Sequence, residues 1–366
     1  MQQLFTWITK PTQKCNTLVF SRTLVTFMLT DQRPLPSIIK TQLKTVPSLS
    51  SSLYKPVKAD FASVNRLIIE RLSSDVELVE NIGNYIVDSG GKRLRPLVVL
   101  LSALANGYAG QDHIKAAVII EFIHTATLLH DDVVDVSALR RGRQTANSHW
   151  GNAPSVLVGD FLYSRAFQML VEIADLSIMS IIADASNLIS EGEVQQLANA
   201  GNPDISQEIY TEVIFKKTAV LFEAAARTGG VLAGVGEKTM ARYGRHLGMA
   251  FQISDDILDY KGSSRSTGKQ IGADLAEGKM TLPLIFTRDQ IDSCQAEVLR
   301  ELVRGEKSQD FSEILDLVKR SGGLDYALDV AKNEVHQACE ALGELPSNEF
   351  TRALRSIAEF AVLRAV

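Results

Sequence analysis

Asp131, Asp132 and Asp135 stand together at the end of the apolar run that closes with Leu128-Leu129-His130. On a helix, residues i and i+4 share a face, so Asp131 and Asp135 point the same way. Asp132 lies about 100° round from Asp131, close enough to join the same cluster. The device recurs downstream as Asp255, Asp256 and Asp259, again after an apolar stretch. Two such triplets facing one another would make a strongly negative pocket, costly to hold without cations. Carboxylates are hard oxygen donors of the kind that share Mg2+ with substrate phosphates. Both triplets therefore read as holders of Mg2+ around a diphosphate. One acidic cluster on a helix is usually a solvated face; two in apolar settings with basic partners are not.

The basic partners interrupt the apolar pattern at a few places. Gly90-Gly91-Lys92-Arg93-Leu94-Arg95-Pro96 is a break at a helix start, where backbone amides and cations can hold an anion. Arg140-Arg141-Gly142 follows the first triplet, Lys217-Thr218 borders an apolar run, Gln252 precedes the second triplet, and Lys269 and Lys279 come after it. His124 lies seven residues before Asp131, two turns away on nearly the same face; His130 beside it reads as a satisfied core residue. No Ser/His/Asp set and no cysteine nucleophile accompanies these groups. The chemistry that remains is departure of a diphosphate from carbon. Cations would stabilise the leaving charge, and apolar walls would keep water from the carbocation.

The elements that must position these residues read as helices. Phe61, Val64, Leu67 and Ile68 recur at spacings of three and four, as do Val79, Ile82, Tyr85 and Ile86. Long apolar stretches over 97–105, 114–129, 155–174, 178–198 and 243–260 predict buried helices, with Glu191-Gly192-Glu193 a polar exception inside one of them. No strand run and no fixed-period repeat is expected. The chain has 366 residues, 45% of them hydrophobic, and a formal net charge of -5. That suits a globular protein with a large core and argues against a general nucleic-acid binder. No run approaches the length of a membrane span. Three scattered cysteines imply neither a disulfide framework nor a zinc site. Residues 1–57 are rich in Ser, Thr, Lys and Pro with Asp31 the one acidic residue, and read as an organellar transit peptide, a disordered tail or the result of a misplaced start. They are expected to lie outside a single catalytic domain over 58–366.

Taken together, these motifs resemble the trans-polyprenyl diphosphate synthases of the isoprenoid synthase family, and most of all the long-chain octaprenyl type from bacteria. The resemblance implies an all-α bundle of long helices around a deep central cavity, usually dimeric, here a homodimer. It implies that Asp131, Asp132 and Asp135 bind Mg2+ gripping an allylic diphosphate, and that Asp255, Asp256 and Asp259 bind the rest from the facing helix, three Mg2+ per site in all. It assigns Arg140, Lys217 and Lys269 to the allylic diphosphate, with Lys279 a further substrate-binding residue. Thr218 and Gln252 fall beside the reacting carbons, and Lys92, Arg95, His124 and Arg141 on isopentenyl diphosphate.

Short-chain members of that family place aromatic rings just before the first acidic motif. Here Ala126 and Thr127 occupy those positions and are expected to leave the passage open, so that the lipophilic product grows to octaprenyl length for a quinone side chain. Three enzyme alternatives are a short-chain farnesyl or geranylgeranyl synthase, a terpene cyclase and a head-to-head synthase; Lys92, Arg95 and Arg141 argue against the last two. A non-catalytic subunit of a heteromeric synthase is the alternative of another class, and the intact triplets argue against it. The compartment is expected to be the bacterial cytoplasm, or the mitochondrial matrix if residues 1–57 are a presequence.

Overall fold

Leu53 and Val57 already belong to the hydrophobic core, 5% and 1% exposed. The computed structural model describes residues 53–88, 90–261, 272–306 and 311–365. The boundary expected at residue 57 therefore moves: the domain includes the described residues from Leu53 onward, and the Tyr54 hydroxyl donates to the Lys92 carbonyl. A short 3-10 turn, Lys55–Val57, leads into the helices.

Helix α1 spans Lys58–Leu72, α2 Glu77–Asp88, α3 Leu94–Ala105 and α4 Asp112–Val134. A two-residue hairpin follows, β1 at Leu139–Arg140 and β2 at Arg143–Gln144, antiparallel with Arg140 opposite Arg143. It corrects the expectation of no strand; so short a ladder leaves no alternating pattern to read. Then come α5 at Ala146–Trp150, α6 at Asn152–Ile173, α7 at Leu176–Asn199 and α8 at Gln207–Ile214. A five-residue π turn, Phe215–Ala219, joins α8 to α9 at Val220–Ala233. Helix α10 runs from Glu237 to Lys261 and the four-residue α11 from Ala273 to Ala276. The remainder is α12 at Leu282–Gln290, α13 at Ser293–Val303, α14 at Phe311–Arg320, α15 at Gly323–Leu342 and α16 at Glu349–Leu363.

Local chemistry explains several boundaries. Asp175 accepts from the N–H groups of Ser177 and Ile178 to start α7, and Ser206 accepts from Ile209 to start α8; each such cap stabilises a helix by roughly 1 kcal/mol. Helices α3 and α4 are apolar on most faces and bury them: Leu97, Val98, Leu100, Ile119, Ile120 and Ile123 are closed to water. Each such side chain contributes roughly 1.5–3 kcal/mol through burial. Helix α4 packs on α3 and α6, and α10 on α9 and α15.

Two close approaches shape the site. Gly248 on α10 lies against Ala219, where an added Cβ would meet the Ala219 Cα at 2.4 Å. Gly192 on α7 faces the π turn, and a Cβ there would sit 2.9 Å from the Lys217 backbone nitrogen. Both glycines let the π turn lie flush between α7 and α10, which sets Lys217 and Thr218 beside the acidic motifs.

Candidate active site

Helix α4 carries the first acidic motif in its last turn, with Asp135 as its C-cap residue. Asp131 and Asp135 are half-buried on one face, as the spacing predicts. Asp132 does something else. It is 5% exposed and takes hydrogen bonds from Arg140 on the hairpin, at 2.9 Å from Nε and 2.8 Å from Nη2. Burial and the neighbouring carboxylates Glu193 and Asp135 push the Asp131 carboxyl up to about 7, against the pull of Lys217 and Arg140. Lys217 itself bonds Glu193 at 2.7 Å. Lys279 lies 3.5 Å from Asp135 and 2.5 Å from Glu277, and the acids around it, Asp274 included, raise its pKa despite burial.

The second motif, on α10, is also divided. Asp255 is partly exposed and forms an ion pair with Arg364. Asp256 is 4% exposed and accepts from the Tyr210 hydroxyl at 2.6 Å and from the Gln252 amide at 2.8 Å. Gln252 in turn accepts from the Thr218 hydroxyl at 2.8 Å. Thr218, Gln252, Asp256 and Tyr210 thus form one hydrogen-bonded chain linking the π turn, α10 and α8. Asp259 accepts from the N–H groups of Ala273 and Asp274 and so caps α11. Among the described residues, no three His, Cys, Asp or Glu side chains converge into a closed metal cage. The donor set still fits a hard divalent cation. Asp131 and Asp135 offer oxygens from one face, and a cation would offset the burial and charge crowding that together lift the Asp131 pKa.

A cationic group surrounds α4 two turns earlier. Arg95, at the start of α3, donates from Nη1 to His124 Nε2 at 3.1 Å and lies over the Phe222 ring at 4.3 Å. Arginine only donates, so Nε2 accepts and the His124 proton sits on Nδ1. Burial and the guanidiniums of Arg95, Arg141 and Arg140 hold His124 well below the usual imidazole range, hence neutral. Burial brings Arg95 down to about 10. Arg141 donates to the Gly90 carbonyl, and Lys92 lies 4.5 Å over the Phe360 ring. Glu121, half-buried on α4, sits 3.9 Å from Arg93 and is the acid that balances Arg93, Arg95 and Arg141.

The structure gathers Lys92, Arg95, His124 and Arg141 into one group. It brings Asp131, Asp135, Lys217 and Lys279 into another, with Thr218 and Gln252 alongside. Asp132, Asp256 and Asp259 are bound to protein partners rather than turned outward. Arg140 is engaged with Asp132. Lys269 falls outside the described residues. Ala126 is 0% exposed, so the space expected beside it is filled; Thr127 is half-buried and donates to the His124 carbonyl at 2.8 Å. His130 is a packing residue, 3.2 Å from the Val156 carbonyl and stacked on Tyr163. Sequence reasoning missed Glu121, Tyr210 and Arg364 and gave Glu193 no role. Glu121 and Glu193 are charges inside apolar helices, a signal that could have found them; Tyr210 and Arg364 carry none.

The polyprenyl synthetase family model matches residues 76–320. The chain is 47% identical to the octaprenyl diphosphate synthase of Haemophilus influenzae over 316 residues, 85% of this chain and 96% of that one. A polyprenyl synthase from Caulobacter crescentus, crystallised with calcium and isoprenyl diphosphate, superposes with a TM-score of 0.83 at 43% identity, covering 86% and 97% of the two chains. A decaprenyl diphosphate synthase from Rhodobacter capsulatus gives a TM-score of 0.83 at 40% identity, covering 87% and 99%. With motif, fold and paired charge groups all in agreement, the chain belongs to the polyprenyl synthetase family and is a prenyltransferase with the all-α isoprenoid-synthase fold.

Proposed function

We propose that this chain condenses isopentenyl diphosphate repeatedly onto an allylic diphosphate and releases an octaprenyl-length product that serves as a quinone side chain. One observation carries the two-substrate reading: α4 presents two separate charge stations along its length. The Arg95–His124 group, with Lys92 and Arg141, suits one diphosphate. The Asp131–Asp135 face, with Lys217 and Lys279, suits a second with its cations.

At the second station Asp131, Asp135 and Asp255 would hold Mg2+, which when bound neutralises charge on the departing diphosphate. Lys217 can leave Glu193 for a phosphate oxygen, because both are at a half-buried surface where exchange costs little. The allylic C–O bond breaks, the isopentenyl double bond attacks the cation, a C–C bond forms and a proton leaves. The freed diphosphate is a sufficient base. Neutral His124 keeps Arg95 oriented without adding a charge of its own. The buried faces of α3, α4 and α9 exclude water from the cation. Arg140 acts here by fixing Asp132, and Asp256 and Asp259 by holding the π turn and α11.

The number of Mg2+ ions follows the family pattern of three. A homodimer is supported by the exposed apolar side chains on α6 and α7, among them Leu157, Val171, Leu176, Val194 and Leu197. No described helix is long and apolar enough to cross a membrane. The bacterial relatives favour a cytoplasmic setting, with the mitochondrial matrix as the alternative if the N-terminal extension is a presequence.

The test is incubation of the purified chain alone with farnesyl diphosphate, labelled isopentenyl diphosphate and Mg2+, with products sized by reverse-phase chromatography. Octaprenyl-length product is expected. Product stopping at geranylgeranyl length would overturn the long-chain reading, and absence of incorporation would favour the non-catalytic subunit. Because Ala126 is packed against its neighbours, Ala126→Phe should cost roughly 1–3 kcal/mol through overpacking, read by thermal denaturation.

A further inference from the structure

Arg364 follows directly on α16, yet its side chain is only 13% exposed. Its guanidinium pairs with the Asp255 carboxylate and lies 4.2 Å over the ring of Phe251, one turn earlier on α10. Its Nε is buried with no hydrogen-bond partner. It is also close enough to Lys92 that, after burial, it is the largest influence lowering that lysine's pKa. The backbone beside it is pinned, since Lys261 donates to the Ala365 carbonyl at 2.9 Å. A cation anchored by its backbone and carrying an unused donor thus lies between the second acidic motif and the lysine of the other diphosphate station.

We propose that Arg364 is a built-in counter-cation for Asp255, which it yields to a divalent ion when it swings onto the diphosphate held by Lys92. The inference rests on the reading of Asp255 as a metal ligand. The swing needs side-chain torsions only, because the Ala365 carbonyl stays with Lys261. Asp255 exchanges one cation for another and is never left as a bare carboxylate. Arg364 exchanges one oxyanion for another and gains a use for Nε, in the forked geometry that guanidinium and phosphate share. Metal entry and diphosphate capture at the neighbouring station are thereby linked through one side chain. A plain latch holding α16 on α10 would have a different signature, because it would affect stability and leave metal affinity alone.

The experiment measures Mn2+ binding to the full chain by the electron paramagnetic resonance signal of free Mn2+, with no substrate present, alongside KM values for both substrates. Arg364→Gln should bind Mn2+ roughly two- to fivefold more tightly, the range expected for removing the cation paired with a partly exposed carboxylate. Its KM for isopentenyl diphosphate should rise about tenfold through loss of a charge-assisted contact, with the allylic KM little changed. Arg364→Lys keeps the charge and should return the Mn2+ midpoint towards wild type. Circular dichroism checks that each variant is folded. If Arg364→Gln leaves the midpoint unmoved or weaker while Asp255→Asn still weakens binding, the counter-cation inference falls alone. If Asp255→Asn also leaves the midpoint unmoved, the metal reading of the second motif fails and takes this inference with it.

Discussion

The two acidic motifs are spelled alike, with aspartates at i, i+1 and i+4, but the fold uses them differently. In the first, two carboxylates are half-buried on one face and one, Asp132, is spent on Arg140. In the second, only Asp255 reaches outward; Asp256 closes a buried hydrogen-bond chain and Asp259 caps a helix. On the function proposed above, the first motif is chiefly a site, and the second is chiefly a joint with one site residue. Identical spacing thus sets where carboxylates can point, and neighbours decide what each one holds.

The largest expected effect tests the first half of that contrast. Asp131→Ala should lower kcat by about a thousandfold or more, and Asp255→Ala by about a hundredfold, both without loss of fold. A larger loss for Asp255→Ala in steady-state assays would reverse the ranking. Stability should rank the other way. Asp256→Ala strands the Tyr210 hydroxyl and the Gln252 amide and should cost about 2–4 kcal/mol in urea denaturation. Asp132→Ala frees a one-third-exposed Arg140 and should cost about 1 kcal/mol. Equal losses for the two variants would show that the second motif is no more a joint than the first.

A subtler difference is in pH response. In metal-free protein Asp131 keeps its proton up to about pH 7, whereas in the unfolded chain it titrates at about 4. The native state therefore binds the extra proton between those values, and the stability it contributes is full below about pH 4 and lost as pH rises through 7. Asp131→Asn should flatten this part of the stability curve measured in a chelator; an unchanged slope would place the titration elsewhere. Smallest of all, Asp259→Ala should cost about 0.5–1 kcal/mol, the value of a helix cap, with a correspondingly small shift in denaturation midpoint.

Much of this was legible from spacing. The apolar runs over 114–129 and 178–198 lie within α4 and α7, and the basic turn before Pro96 does gather with His124 across α3 and α4. Periodicity reports which face of a helix is apolar, and that suffices for the bundle. It does not report partners from distant sequence. Asp132 and Asp131 are adjacent, and only the hairpin that carries Arg140 back onto α4 separates their roles. Tyr210 and Arg364 reach the second motif from 46 and 109 residues away, and nothing local marks them. Ala126 is small, as the sequence shows, but it is also packed; a helix position alone does not tell a cavity wall from a packed neighbour.

The π turn at Phe215–Ala219 has a consequence for the history that such a chain can have. Helices α8 and α9 run on from one another through it, so it amounts to one surplus residue in an otherwise continuous helix. Removing any one residue there would restore regular helical hydrogen bonding, an improvement in local backbone terms. It would also turn Lys217 and Thr218 by about 100° relative to one flank, away from Glu193 or from Gln252. Substitutions in this stretch can be graded in effect, but a single-codon deletion cannot. The segment is thus a place where the reading frame of the helix, rather than the identity of any residue, is under constraint.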